Sequence, residues 1–211
     1  MHVTVIAKAP MPGQVKTRLS PPCTPEQAAQ VAAAALADTL TAVEEVARIS
    51  GARRVLLLEG DRQEWMPAAF DVVAQRGGGL EERLRNGFVD LGPGVIIGME
   101  TPHVAAALAG ALAAAHRGVD TIGLATDGGY WMIGLCATSA IMAHELFDGM
   151  PMSRTHTGLA QLRRMHACGR QVRLLPSARD LDTIDDLKSA AESGRTGNLA
   201  MVAARVLADI L

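Results

Sequence analysis

A chain of 211 residues with 49% hydrophobic and 20% charged side chains has ordinary globular composition, long enough for one sizeable core and without the bias of a disordered chain. Its formal net charge of −2 gives no reason to expect nucleic acid or a membrane surface as partner. The three cysteines, Cys23, Cys136 and Cys168, form no C-x-x-C pair, which argues against a zinc knuckle or a redox motif, and their odd number fits a reducing compartment.

Residues 2–8 (HVTVIAK) are β-branched and apolar and predict a first strand; no basic run or small-residue cleavage site marks them as a signal peptide. Residues 9–22 follow as a Pro/Gly loop with a basic end. Thr24-Pro25-Glu26-Gln27 then opens a helix, with Thr24 as N-cap, Pro25 at the first helical position and Gln27 completing a capping box. The Ala-rich pattern carries that helix to about Arg48. Strands are expected at 53–58 and 71–75. A helix introduced by Gly77, Gly78 and Gly79 covers 79–91, a strand 94–99 and a helix 102–116. The longest apolar run, 104–115, lies in that last helix and falls short of the roughly 20 residues a bilayer span requires. A strand at 121–125, a turn at Asp127-Gly128-Gly129 and extended structure at 130–136 come next. Helices are expected near 137–147 and 155–167, a strand at 171–175, and closing helices at 182–193 and 198–211.

Strands alternate with helices, and the strands are continuous apolar runs. That pattern predicts a three-layer α/β/α arrangement with a mostly parallel sheet covered on both faces. Neither an internal repeat nor a Ser/Gly linker is visible, so residues 1–211 read as a single domain, and a cytoplasmic location is expected. In such sheets ligands bind outside the carboxyl ends of the strands.

The unusual residues fall there. No acidic residue occurs before Glu26, while Lys8, Lys16 and Arg18 do, with Gly13 beside the last two. A loop of this kind can wrap phosphate oxygens, lysine giving a point charge and arginine a planar fork. It lacks the Gly-Lys-Ser/Thr of a P-loop, and G-x-G-x-x-G is absent; a solvated loop with scattered cations is the plain alternative. Glu100 follows an apolar strand, and Asp180 and Asp182 follow another. Two carboxylates at strand ends suit Mg2+, or Mn2+, completed by substrate phosphates. Asp182 also reads as the N-cap of the next helix, with Asp185 in its first turn, and spacing alone favours that cap. Asp127-Gly128-Gly129-Tyr130 permits close approach to a ligand, with Tyr130 and Trp131 available to a sugar or acceptor; a plain hairpin turn is the alternative. Of six dispersed histidines, only His103 and His156 stand near these features, and no zinc-hydrolase spacing or G-x-S-x-G elbow occurs.

AKAPMPGQVKTRLSPP, GGGLEERLRNGF, IIGMETP, TDGGYWMIGL and RDLDTIDDL, in that order, resemble an uncharacterised bacterial family of glycosyltransferase-like, nucleotide-diphospho-sugar transferase-like proteins. The resemblance spans about residues 7–187. It implies the GT-A type of nucleotide-binding fold, and it extends to nucleotidyltransferases of that superfamily, such as the molybdenum-cofactor and phospholactate guanylyltransferases. By that likeness Gly13, Lys16 and Arg18, with Lys8 nearby, match the phosphate loop, and Leu80 and Arg83 a segment near the nucleoside. Glu100 and Asp182 fall on metal-binding acidic positions, and Asp127 to Tyr130 on an acceptor-side turn. The family pattern has aspartate at Glu100, serine at Met99 and proline at Ile184.

The resemblance implies a metal-dependent transferase that takes a nucleotide or nucleotide-sugar and a small-molecule acceptor, with Lys16, Arg18 and Asp127 as candidate catalytic groups; a homodimer is left open. A nucleotidyl transfer that releases pyrophosphate is the second reading, since a lysine-plus-arginine loop suits a triphosphate. A non-catalytic nucleotide-binding protein is the third, motivated by glutamate in place of aspartate.

Overall fold

The computed structural model describes residues 1–101, 105–193 and 197–210. Seven strands form one sheet: β1 (His2–Lys8), β2 (Arg53–Glu59), β3 (Asp71–Ala74), β4 (Gly94–Gly98), β5 (Asp120–Ala125), β6 (Tyr130–Leu135) and β7 (Val172–Ala178), in the order β3-β2-β1-β4-β6-β5-β7. All neighbouring pairs are parallel except those of β6, which runs antiparallel to both β4 and β5. The mostly parallel three-layer architecture expected from the apolar runs is therefore present.

The helices are α1 (Pro25–Ser50), α2 (Leu80–Leu91), α3 (Ala105–His116), α4 (Ala140–Phe147), α5 (Thr157–Ala167), α6 (Ile184–Glu192) and α7 (Asn198–Ile210). One sheet face, with Val3, Val5, Leu56, Val95 and Ile97, packs against Leu36, Leu40 and Val43 of α1 and Leu108 and Leu112 of α3. The other, with Ile96, Ile122 and Ile133, packs against Phe88 of α2, Phe147 of α4 and Met165 of α5. Strands buried on both faces must be apolar at nearly every position, which is why they read as runs. α6 and α7 close against α1 through Leu187, Ala203 and Val206 over Val31 and Ala35. Among the described residues, no helix is long and apolar enough to cross a membrane.

α1 begins as the sequence dictates: the Thr24 hydroxyl accepts from the Gln27 N–H, Gln27 returns a bond to the Thr24 N–H, and Pro25 fills the first position. At α6 the sequence reading is corrected. Thr183, not Asp182, is the N-cap; its hydroxyl accepts from the Asp186 N–H, and Asp186 closes the box. Asp182 stands one residue outside, with its carboxylate released for other partners. β7 is likewise longer than the expected 171–175 and runs through Pro176 to Ala178. It is an edge strand, so a residue without an N–H is tolerated there. The expected start of α3 at residues 102–104, His103 included, and the last residue expected in α7 lie outside the described residues.

Candidate functional site

Because β6 is antiparallel, its first residues lie at the same sheet edge as the last residues of β1, β2 and β4. A cleft of about 350 Å³ opens along that edge, within the range of small-ligand sites. Lys8, Glu59, Gln75, Leu80 and Arg83 line one part of it, and Glu100, Thr101, Tyr130, Trp131 and Asp180 also line it.

In the first group the charges interlock. Arg83 donates to the Glu59 carboxylate, and Lys8 lies 3.5 Å from the same group. Gln75 donates to the carbonyls of Ala7 and Leu57, at 2.7 and 3.0 Å, tying β1 to β2 where both end. Its own carbonyl accepts from Arg83 at 3.3 Å. Gly79 is the N-cap of α2 and makes no side-chain cap, so the helix presents its N-terminal end beside Leu80.

Lys16, Arg18 and Asp182 stand outside this lining and meet it at Glu100. The Lys16 ammonium contacts the Glu100 carboxylate, donates to the Leu181 carbonyl, and lies 3.2 Å from Asp182 Oδ1. Its side chain is 3% exposed, whereas Glu100 and Asp182 are 27% and 30% exposed. Arg18 holds the other Asp182 oxygen at 2.9 Å and is 73% exposed. Lys16 itself sits in the left-handed region, φ 49°, just before a single turn of 3₁₀ helix, Thr17–Leu19. The expected basic loop thus reaches the acidic strand ends, but Lys16 is a buried counter-ion and only Arg18 is open to solvent. Gly13, also at positive φ, lies in the exposed stretch of loop before it.

Asp186 fixes this arrangement from behind. One carboxylate oxygen accepts from the N–H groups of both Asp182 and Thr183, at 3.0 and 2.7 Å, while Arg179 pairs with the other oxygen. Burial opposes its ionisation, yet the hydrogen bonds from Thr183 and Asp182 and the Arg179 charge hold its carboxyl below the usual range.

Burial pushes the Glu100 carboxyl up, against the pull of Lys16. Asp180 is pushed up to about 7, by burial first and then by the charges of Glu100, Asp127 and Asp182. Among the described residues the buried Tyr130 hydroxyl has no hydrogen-bond partner, nor do Arg83 Nε and Thr101 Oγ1, and all three residues line the cleft. Burial also raises the Tyr130 phenol.

The Asp127–Gly129 segment is a hairpin turn between β5 and β6, the plain alternative the sequence allowed. Asp127 is exposed and accepts from the Gly129 N–H at 2.8 Å. Gly128 has φ +94°, and a Cβ there would stand 1.9 Å from the Thr155 carbonyl oxygen; its own carbonyl accepts from Gly158. The two glycines therefore dock the turn on the start of α5. Trp131 lines the cleft wall but is 3% exposed, and its indole N–H is spent on the Pro176 carbonyl. His156 is exposed at the α5 N-cap, away from the cleft lining. Glu59 and Gln75 were not expected from the sequence. A signal was present: both directly follow apolar runs, the position that also marked Glu100.

The donor set at Glu100 bears on a divalent ion. Two carboxylate oxygens and the Leu181 carbonyl converge on one cationic atom, and all are hard oxygen donors of the kind Mg2+ and Mn2+ select. Among the described residues no group of three or more His, Cys, Asp or Glu side chains is placed to hold a metal. The three oxygens form a half-shell, and the Lys16 ammonium fills it.

The site thus lies at the strand ends of a seven-stranded, mostly parallel α/β sheet, with a cleft and charged groups along that edge. The structure is similar, with a TM-score of 0.83 and 24% identity over 100% of this chain and 97% of the other, to a candidate nucleotide-diphospho-sugar transferase from Desulfovibrio desulfuricans G20. It is also similar to Rv0371c of Mycobacterium tuberculosis H37Rv, at 21% identity over 89% of this chain and 96% of that one, with TM-scores of 0.46 and, in its manganese complex, 0.45. No curated protein matches the sequence. The chain belongs to the family of uncharacterised proteins conserved in bacteria known as DUF2064, whose pattern matches residues 29–154, more than half its length.

Proposed function

We propose that the chain is a metal-dependent transferase acting on a nucleotide-activated donor, in the manner of nucleotide-diphospho-sugar glycosyltransferases. The observation that carries this reading is the meeting of Lys16, Glu100 and Asp182 at the edge of the strand-end cleft. Here Lys8, Leu80 and Arg83 take the nucleoside side of the donor, with Glu59 and Gln75 holding Arg83 in place. Lys16 and Arg18 receive the phosphates, with the Gly13 loop folding over them. Glu100 and Asp182 would hold Mg2+ or Mn2+, which when bound supplies charge neutralisation of the donor phosphates. Tyr130 offers an unspent hydroxyl to the acceptor, and Asp127, with Gly128 and Gly129 fixing its turn, stands on the acceptor side.

Nucleotidyl transfer is the second reading. The exposed guanidinium of Arg18, beyond the carboxylates, favours it, because a third phosphate needs a cation there. Calorimetry with panels of sugar nucleotides and of NTPs, each with Mn2+, separates the two. Selective binding of sugar nucleotides supports glycosyl transfer. Binding of an NTP, with pyrophosphate released on adding a phosphorylated acceptor, supports the second. Nucleotide binding with no turnover under either regime, unchanged in Glu100→Ala, leaves a binding protein and refutes both.

A further inference from the structure

Lys16 is anchored by three oxygens from two distant parts of the chain, the Glu100 and Asp182 carboxylates and the Leu181 carbonyl. These are the same oxygens assigned above to a divalent ion, so the two cations compete for one position among them. We propose that the Lys16 ammonium is the resident cation of this half-shell and exchanges with the divalent ion, so that metal and nucleotide phosphates bind as a coupled pair. The proposal rests on the transferase reading and goes beyond it.

Charge and space both favour the exchange. With Lys16 and Arg18 against Glu100 and Asp182, the cluster is balanced. A divalent ion arriving alone must displace a side chain that is 3% exposed, and Asp180 is the acidic group left beside it. A phosphate group at the cleft supplies a further anion. The ammonium then turns from carboxylates to phosphate, and the vacated oxygens take the metal. No covalent bond forms or breaks, and the charge brought by the ion is offset by the phosphates.

Local structure permits the swing. Lys16 follows an exposed loop, residues 11–14, which contains Gly13 at φ +75°, and Val15 between them is buried against Ala29 and Ala32 of α1. Leu19, immediately beyond, is fully buried and anchors the loop's far end. With Val15 and Leu19 both buried, the backbone at Lys16 is held on either side, and the exchange is a rotation of its long side chain. Of the acidic partners, Asp182 is held by Asp186 through its backbone N–H, and Glu100 lies two residues after β4.

By linkage, if nucleotide tightens metal binding, metal tightens nucleotide binding by the same factor. The test is Mn2+ binding, followed by electron paramagnetic resonance of the free ion, on wild type, Lys16→Met and Glu100→Ala. Each is titrated with Mn2+ alone and with a saturating nucleoside diphosphate, chosen from UDP, GDP and ADP by calorimetry. Wild type is expected to bind Mn2+ weakly alone and about tenfold or more tightly with nucleotide, within the usual range of coupling. Lys16→Met is expected to bind Mn2+ alone about tenfold more tightly than wild type and to lose most of the coupling. A wild-type affinity that nucleotide leaves unchanged overturns the proposal without reference to any variant. So does Lys16→Met binding Mn2+ no better than wild type while Glu100→Ala loses it; that result leaves the transferase reading standing. Absence of Mn2+ binding in every protein, with and without nucleotide, overturns the metal-dependent transferase reading and this proposal with it.

Discussion

Replacing Lys16 by methionine keeps the apolar stem and removes the charge, so the loss measures the ion cluster rather than a cavity. Breaking a buried pair by deleting one partner costs about 3–5 kcal/mol. Here the two carboxylates are 27% and 30% exposed, and Asp182 keeps Arg18 at 2.9 Å. Solvent therefore screens part of the penalty, and about 2–3 kcal/mol is expected at pH 7 with chelator present. For a chain of this length that corresponds to a fall in Tm of about 4–12 °C. The pH dependence has a definite sign. Burial already raises the Glu100 carboxyl, and Lys16 is the largest influence lowering it; without Lys16 it rises further. A carboxyl raised in the folded state takes up protons before the unfolded chain does, so stability grows as pH falls toward the ordinary glutamate value of about 4.3. The deficit of the variant relative to wild type must close between neutral pH and about pH 5. Urea unfolding at pH 7 and pH 5 measures it. A variant within about 0.5 kcal/mol of wild type at pH 7, the scatter of ordinary surface changes, or a deficit that widens in acid, refutes the buried counter-ion.

The other expectations concern groups with one clear partner set. Asp186→Asn keeps the shape but weakens the acceptor for the Asp182 and Thr183 N–H groups and loses the Arg179 pair; about 1–2 kcal/mol is expected by urea unfolding, the size of a lost cap, together with weaker Mn2+ binding. Tyr130→Phe removes a buried hydroxyl that has no partner among the described residues, so stability should be unchanged or slightly higher, while affinity for acceptor falls; a clear loss of stability would show that the hydroxyl is bonded within the fold. His2 is buried, accepts from the Thr4 hydroxyl and donates to the Gly92 carbonyl, and burial lowers it to about 4. The unfolded chain takes up this proton first, so about 3 kcal/mol of stability present above pH 6.5 is lost as pH falls to 4; an imidazole titrating near 6.5 by NMR contradicts this.

Much of the fold could be read from local sequence. Continuous apolar runs forecast a sheet buried on both faces, and Thr24-Pro25-Glu26-Gln27 forecast the α1 cap atom for atom, because those interactions lie within a few residues of one another. The strand-end rule placed Glu100 at the cleft edge. What escaped was set by partners far apart in sequence. Nothing near Lys16 tells that Leu181 and Asp182 will enclose it, so it read as an open phosphate-loop lysine. Asp182 and Thr183 are both good caps with an aspartate three residues on; Thr183 takes the cap with Asp186, while the Asp182 carboxylate is engaged by Lys16 and Arg18 from the far end of the chain. Trp131 read as a sugar contact because its neighbour glycines suggested openness; instead it presses against Gly123, where a Cβ would come within 2.3 Å of the indole.

Glutamate at position 100 is the feature on which the reading of an active site and that of a decayed one diverge. The resembling pattern has aspartate there, and a decayed site would treat the longer side chain as a poor ligand. The structure gives the extra methylene a use: it carries the carboxylate into contact with Lys16, which Asp182 reaches only at 3.2 Å. Shortening it by one carbon–carbon bond, about 1.5 Å, withdraws the carboxylate beyond close contact. Glu100→Asp should therefore cost about 1 kcal/mol at pH 7 in the wild-type background, since the pair is partly exposed. In the Lys16→Met background it should cost almost nothing, the contact being already gone. The double-mutant cycle isolates that pairwise difference. A coupling near 1 kcal/mol means that position 100 has been fitted to Lys16, as a site that trades one cation for another requires. Strictly additive losses would mean that glutamate is there for no reason connected with the lysine, and the decayed site would become the better account.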